Sequence, residues 1–176
     1  VAARAVDAGA EIVNDISALA ADKKMARTVA RTKAGLILMH MRGTPQTMQK
    51  RDLRYYDLMG EIVAYLRKSM QKAVDAGVEK ESIIVDPGIG FGKTAEDNYR
   101  IIRNLSTLRA CGVPILIGTS RKSFIGRITQ EEPADRSEGT AATVAAAIMN
   151  GANIVRVHDV AAMKKVAAVT DAIVYA

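Results

Sequence analysis

The 176-residue sequence has no tryptophan, one cysteine and two histidines. Cys111 has no partner for an internal disulfide, which fits a reducing cytoplasm. With His40 and His158 as its only imidazoles, the sequence cannot assemble a Cys/His cluster of the zinc type. No uninterrupted apolar run is long enough to span a membrane. Aromatic side chains that could stack on bases are scarce, with five Tyr and two Phe. The net charge of +6 is spread over pairs such as Lys23-Lys24, Arg67-Lys68 and Lys164-Lys165, with no basic tract. A solvated surface accounts for most of that charge, and an anionic small substrate is a second source. Nucleic acid is not expected as a partner.

Several catalytic signatures are missing too. Gly118-Thr119-Ser120-Arg121-Lys122-Ser123 follows an apolar run but lacks the spacing of a nucleotide P-loop. Gly90-Phe91-Gly92 is too short for a dinucleotide fingerprint, and no Ser-His-Asp triad can be assigned.

What remains is an ordinary globular composition, 49% hydrophobic and 25% charged. One domain over residues 1–176 is expected. Val1 to Ala10 reads as the second half of a helix closed by Gly9, so the sequence is expected to begin inside a domain. Strands are expected at 11–16, 36–41, 83–86, 114–118 and 153–158. Helices are expected from Asp22 to about Lys33, Asp57 to Ala76, about Ala95 to Ala110, after Ser123, from Arg136 to Asn150 with Ser137 as a cap, and from Asp159 onward. A polar loop from Arg42 to about Arg54 is long for its place, which favours a functional segment.

Alternating strands and helices mean α/β with a parallel sheet. Every strand ends in polar chemistry: Asn14, His40 with Arg42, Asp86, Ser120 with Arg121 and Lys122, and Arg156 with His158. An open sheet gathers its ligand groups at one switch point, whereas a barrel draws them from many strand ends around one mouth. A (β/α)8 TIM-type barrel is therefore expected. A whole barrel takes about 250 residues, so this sequence would supply the last five βα units and roughly three would lie outside it.

Arg156 and His158 are two apart on a strand and point the same way, beside a helix start at Asp159. Cations at a helix N-terminus make a phosphate or pyrophosphate site, though Arg156 could instead pair with a carboxylate inside the barrel. Asp86 closes an apolar strand and is followed by Pro87 and a glycine-rich turn; it reads equally as a site or a turn. Asn14 at the same mouth could donate and accept beside Asp86 toward an amidine-like heterocycle edge, or bond the backbone. His40 alternates away from Met39 and Met41 and is expected to face the helices.

Five blocks occur in order: Asn14-Asp15-Ile16; Leu38 to Gln49; Asp86 to Lys93; Gly118 to Gly126; and Arg156-Val157-His158-Asp159. Together they resemble the dihydropteroate synthases, the folate-pathway target of sulfonamides. The resemblance implies a (β/α)8 barrel, usually a homodimer. Such an enzyme joins 6-hydroxymethyl-dihydropterin pyrophosphate to p-aminobenzoate with release of pyrophosphate. It implies pterin contacts from Asn14, Met39, Asp86, Lys122 and Arg156. Arg156, His158 and Asn14 would hold pyrophosphate. Phe91, Lys122, Ser123 and Arg121 would serve p-aminobenzoate. Lys122, Arg156, His158 and Asp86 would carry the chemistry by charge stabilisation. It also implies Mg²⁺, held in the family by an Asn outside this sequence. Two alternatives stay open: a methyltetrahydrofolate-binding methyltransferase of the same superfamily, and a non-catalytic pterin-binding fragment.

Overall fold

In the computed structural model, which describes residues 1–43 and 54–176, five strands alternate with helices. The order is α1 (Ala2–Asp7), β1 (Ile12–Asp15), α2 (Met25–Thr32), β2 (Gly35–Met39), α3 (Leu58–Asp75), β3 (Ile83–Asp86) and α4 (Ala95–Arg103). Then come β4 (Leu116–Ile117), α5 (Ser123–Thr129), α6 (Ser137–Met149), β5 (Ile154–Val155) and α7 (Val160–Val174). Most of the expected 42–54 loop, with the quoted Thr44 to Gln49, lies outside the described residues.

Strand order decides the architecture. β1 pairs with β2 and β2 with β3, all parallel. A parallel bridge between Val85 and Ile115 carries the array to β4, and β4 pairs in parallel with β5. Neighbours in space are thus neighbours in sequence, with no reversal. That is the winding of a (β/α) barrel and not of an open doubly wound sheet.

The register then sorts side chains by parity. Asn14 sits opposite Ile37, and Ile37 opposite Ile84. One layer higher, Met39 sits opposite Asp86. These residues face inward. Asp15, Leu38 and Val85 occupy the alternate, outward positions against the helices.

Outside the strands, α3 supplies the largest packing face. Asp57 caps it by accepting the Gly60 N–H at 3.1 Å. Leu58, Ile62, Leu66, Met70 and Ala73 then recur at helical spacing, and all are buried. They pack against β2 residues Leu36 and Leu38, which have no exposed surface. A capping box between Thr94 and Asp97 starts α4.

Several element limits differ from expectation. β4 and β5 are two residues each, because Gly118 and the residues beyond Val155 leave the ladder at the mouth. Their pairing begins earlier, where Asn153 Oδ1 accepts the Ile115 N–H at 2.9 Å. The α4 helix stops at Arg103 and continues as a 3₁₀ segment, Leu105–Cys111. Asp22 accepts the Lys24 N–H at 2.8 Å, so its carboxylate closes a turn and the helix starts at Met25. Ser137 is the first helical residue of α6 and makes no capping bond from that place. No helix among the described residues is long and apolar enough to cross a membrane.

Leu66 is fully buried between α3 and the sheet. Leu66→Ala should lower unfolding free energy by about 2–5 kcal/mol, the usual cost of an unfilled cavity, in a urea titration followed by circular dichroism.

Candidate functional site

The inward parity brings Asn14, Ile16, Met39, Asp86, Gly88, Ile89, Phe91, Gly118, Ser120, Lys122, Arg156, Val157 and His158 around one cleft at the carboxyl ends of the strands. Seven residues expected from sequence are gathered there: Asn14, Met39, Asp86, Phe91, Lys122, Arg156 and His158. Arg121 and Ser123 are not among the lining residues. Ser123 opens α5 and is exposed.

Asp86 lies at the base of the cleft, 8% exposed. Its Oδ1 accepts the Gly88 N–H at 2.7 Å. Burial raises its pKa to about 6, against the pull of that N–H and of Lys122, Lys93 and Arg156. The turn after it depends on glycine. Gly88 has φ +70°, and a Cβ there would lie 1.9 Å from the His40 carbonyl oxygen. β2 and the turn approach so closely that no side chain fits between them.

Lys122 reaches over the turn. Its ammonium donates to the Ile89 carbonyl and stands 4.6 Å from the centroid of the Phe91 ring. Burial lowers its pKa; Asp86 opposes that shift and Arg156 adds to it. Across the mouth, His158 Nδ1 lies 2.9 Å from Ser120 Oγ, and the His158 N–H donates to the same oxygen at 3.2 Å. Arg156 stays exposed on the wall. The cleft therefore pairs one buried carboxylate with two cations, Lys122 and Arg156, and the His158 imidazole. It suits a ligand that is hydrogen-bond-donating at one end and anionic at the other.

Arg121 works from behind. It forms a two-pronged ion pair with Asp159, Nη2 to Oδ1 at 2.8 Å and to Oδ2 at 3.0 Å. Its N–H donates to Thr140 Oγ1 at 3.1 Å, and its φ is +59°. The pair ties the β4 loop to the start of α7, one residue from Lys122 and one from His158. Asp159 is thereby neutralised at the helix N-terminus that an anion would approach.

His40 faces outward. It stacks edge-on against Tyr65 of α3, centroids 4.9 Å apart, and burial pushes its pKa down to about 3. Asp15, not singled out from sequence, also points outward. Its carboxylate accepts from Ser17 N at 2.9 Å, Ser17 Oγ at 2.6 Å and Leu19 N at 2.8 Å. That holds Ala18 and Leu19 in the left-handed region, at φ 48° and 66°. The loop carrying Asn14 and Ile16 is fixed from its back. Strand parity, applied to the Asn14-Asp15 pair, was the signal that could have assigned both.

Residues 1–158 match the family model described as pterin binding enzyme. The chain belongs to this family. It is 49% identical over 174 residues to a dihydropteroate synthase of Synechocystis, covering 98% of this chain and 60% of that protein. A dihydropteroate synthase of Bacillus subtilis is 43% identical over 172 residues, covering 98% of this chain and 58% of the relative. Among solved structures, Yersinia pestis dihydropteroate synthase with a sulfonamide drug complex superposes with TM-score 0.93 at 36% identity, over 97% of this chain and 62% of that one. The Thermus thermophilus enzyme in complex with 6HMPPP gives TM-score 0.91 at 37% identity, over 99% and 68%. The chain spans about three-fifths of the length of the two curated relatives.

Asp86→Asn separates the demands of the fold from those of the cleft. The folded pKa of Asp86, about 6, lies above its ordinary 3.8. Ionised Asp86 therefore costs stability, a cost absent below about pH 3.8 and complete above about pH 6. Asp86→Asn should stabilise the free protein by about 1–3 kcal/mol at pH 7.5 and show no gain at pH 3.5, by denaturant titration.

Proposed function

We propose that this pterin-binding enzyme is a dihydropteroate synthase. The reaction joins 6-hydroxymethyl-7,8-dihydropterin pyrophosphate to p-aminobenzoate, giving 7,8-dihydropteroate and pyrophosphate. One observation carries the reading: a single buried carboxylate, Asp86, lies at the base of a cleft that also brings together Lys122, Arg156 and the His158 imidazole. An amidine-like pterin edge donates to Asp86, with Asn14 alongside, and Met39 packs on the ring. Arg156, His158 and Asn14 receive the pyrophosphate.

The C–O bond to pyrophosphate breaks first, and the cations stabilise the departing charge. The methylene cation is then captured by the arylamine nitrogen, forming the C–N bond, and the nitrogen releases a proton to solvent. No side-chain nucleophile is needed. Phe91 and Lys122 form the p-aminobenzoate side, with Ser123 beside it at the α5 start and Arg121 tied to Asp159 behind it.

Solved relatives support this reading: one structure of Xanthomonas albilineans dihydropteroate synthase is with 4-aminobenzoic acid, and another is in complex with 7,8-dihydropteroate. The methyltransferase alternative has no pyrophosphate to occupy the Arg156–His158 wall. The same reading makes the protein a cytoplasmic homodimer, with residues 1–176 supplying five βα units of a single pterin-binding barrel domain.

Mg²⁺ belongs to the resemblance. Among the described residues no group of three or more His, Cys, Asp or Glu could hold it. The one carboxylate lining the cleft is buried among cations. These residues do not fit the ion, and no step above runs through it.

Calorimetry with the pterin pyrophosphate and p-aminobenzoate, followed by a pyrophosphate-release assay, tests the reading. Binding with release supports it. Binding without release leaves a non-catalytic pterin protein, and no binding of either substrate removes the proposal. Lys122→Ala should abolish turnover and leave the circular dichroism spectrum unchanged, because it removes a cation from the cleft and not from the core; near-normal turnover would contradict its role.

A further inference from the structure

Lys93 is nearly as buried as the core around it, 7% exposed, yet it does not line the cleft. Its ammonium has three protons and three close acceptors: His40 Nδ1 at 3.0 Å, the Gly88 carbonyl at 3.0 Å and the Phe91 carbonyl at 3.1 Å. The His40 carbonyl adds a longer contact at 3.4 Å. Lys93 thus bonds both ends of the Gly88–Phe91 turn and, through His40, the end of β2. The match requires His40 to be neutral and to accept at Nδ1. Its burial and its position beside Lys93 and Arg42 keep it neutral.

We propose that Lys93 is a positioning residue that holds the Gly88–Phe91 turn in the shape that presents the Gly88 N–H to Asp86 and the Phe91 ring to Lys122. The inference rests on the dihydropteroate synthase reading for the identity of the ligands, and on the hydrogen-bond geometry alone for the brace. Asp86 itself is fixed by β3. The turn has other anchors: Phe91 N–H to the Gly88 carbonyl at 3.1 Å, Lys122 to the Ile89 carbonyl, Gly90 N–H to Asn98 Oδ1 at 2.8 Å and Tyr55 Oη–H to the Gly92 carbonyl at 2.9 Å; the Phe91 carbonyl is held by Lys93. Phe91 is therefore the part that drifts when the brace is removed.

A buried ammonium is a poor device for stability alone. Asp86 and Asp97 favour its charge, Lys122 opposes it, and desolvation outweighs them, bringing its pKa down to about 7. A residue kept only for the fold would be better apolar. Donating to three acceptors in one geometry takes the ammonium form, which predominates below about pH 7.

Lys93→Met, compared with the wild-type protein, tests this. The expected result is a Tm equal to or above wild type, a pterin pyrophosphate Kd within about threefold, and a p-aminobenzoate KM raised by about tenfold or more, as for a misplaced binding wall. An unchanged p-aminobenzoate KM in an active protein overturns the proposal, as does a lowered Tm with both substrates affected equally. Absence of turnover in the wild type would count against the functional reading only. The brace is then decided by the Gly88 amide proton in a ¹⁵N-correlated NMR spectrum. Loss of its downfield, carboxylate-bonded position in Lys93→Met supports the brace, and an unmoved signal overturns it.

Discussion

A desolvated carboxylate at the end of a buried strand is the constraint on which the remaining structure depends. Asp86 is the last residue of β3, and its neighbours below are apolar. Left alone there it would be protonated near neutral pH. The Gly88 N–H and the cations Lys122, Lys93 and Arg156 pull it back toward the charged form. Each of those groups needs its own support. The Gly88 N–H needs a turn that only glycine can make beside the His40 carbonyl. Lys122 needs the Ile89 carbonyl and the Phe91 ring. Arg156 and His158 need β5 held level with β4, which the Arg121–Asp159 pair and the Ser120–His158 bond secure.

Two layers of polar residues follow from this. The inner layer faces the cleft and is poised for a ligand. The outer layer, Asp15, His40, Lys93, Arg121 and Asp159, makes bonds that close on the protein itself. The two layers alternate along the strands and the loops that follow them, so adjacent residues have opposite tasks: Asn14 and Asp15, Met39 and His40, Arg121 and Lys122. The design trades stability for a preformed site, and Asp86 and Lys93 both sit at a penalty for their charge.

Much of this was legible in the sequence. The apolar run ending at Asp86 marked β3, the alternation of strands with helices implied a parallel sheet, and polar strand ends pointed to a barrel mouth. Seven proposed site residues, from Asn14 to His158, do line one cleft. Other features depended on contacts that no local pattern contains. Arg121 was grouped with Lys122 because it is adjacent, but its partner, Asp159, lies in a different βα unit. Lys93 looked like the end of a glycine-rich turn, because its acceptors on His40 come from another strand. The short limits of β4 and β5 follow from where their ladders diverge, which neither segment encodes alone.

The most direct measurement is the titration of the Asp86 carboxyl carbon by ¹³C NMR, first in the free protein and then with dihydropterin pyrophosphate bound. The account predicts an apparent pKa near 6 in the free protein and a clear fall on binding, as the pterin N–H edge donates to the charged form. A pKa near the ordinary 3.8 in the free protein, unmoved by the ligand, would contradict the claim that a buried carboxylate anchors this site.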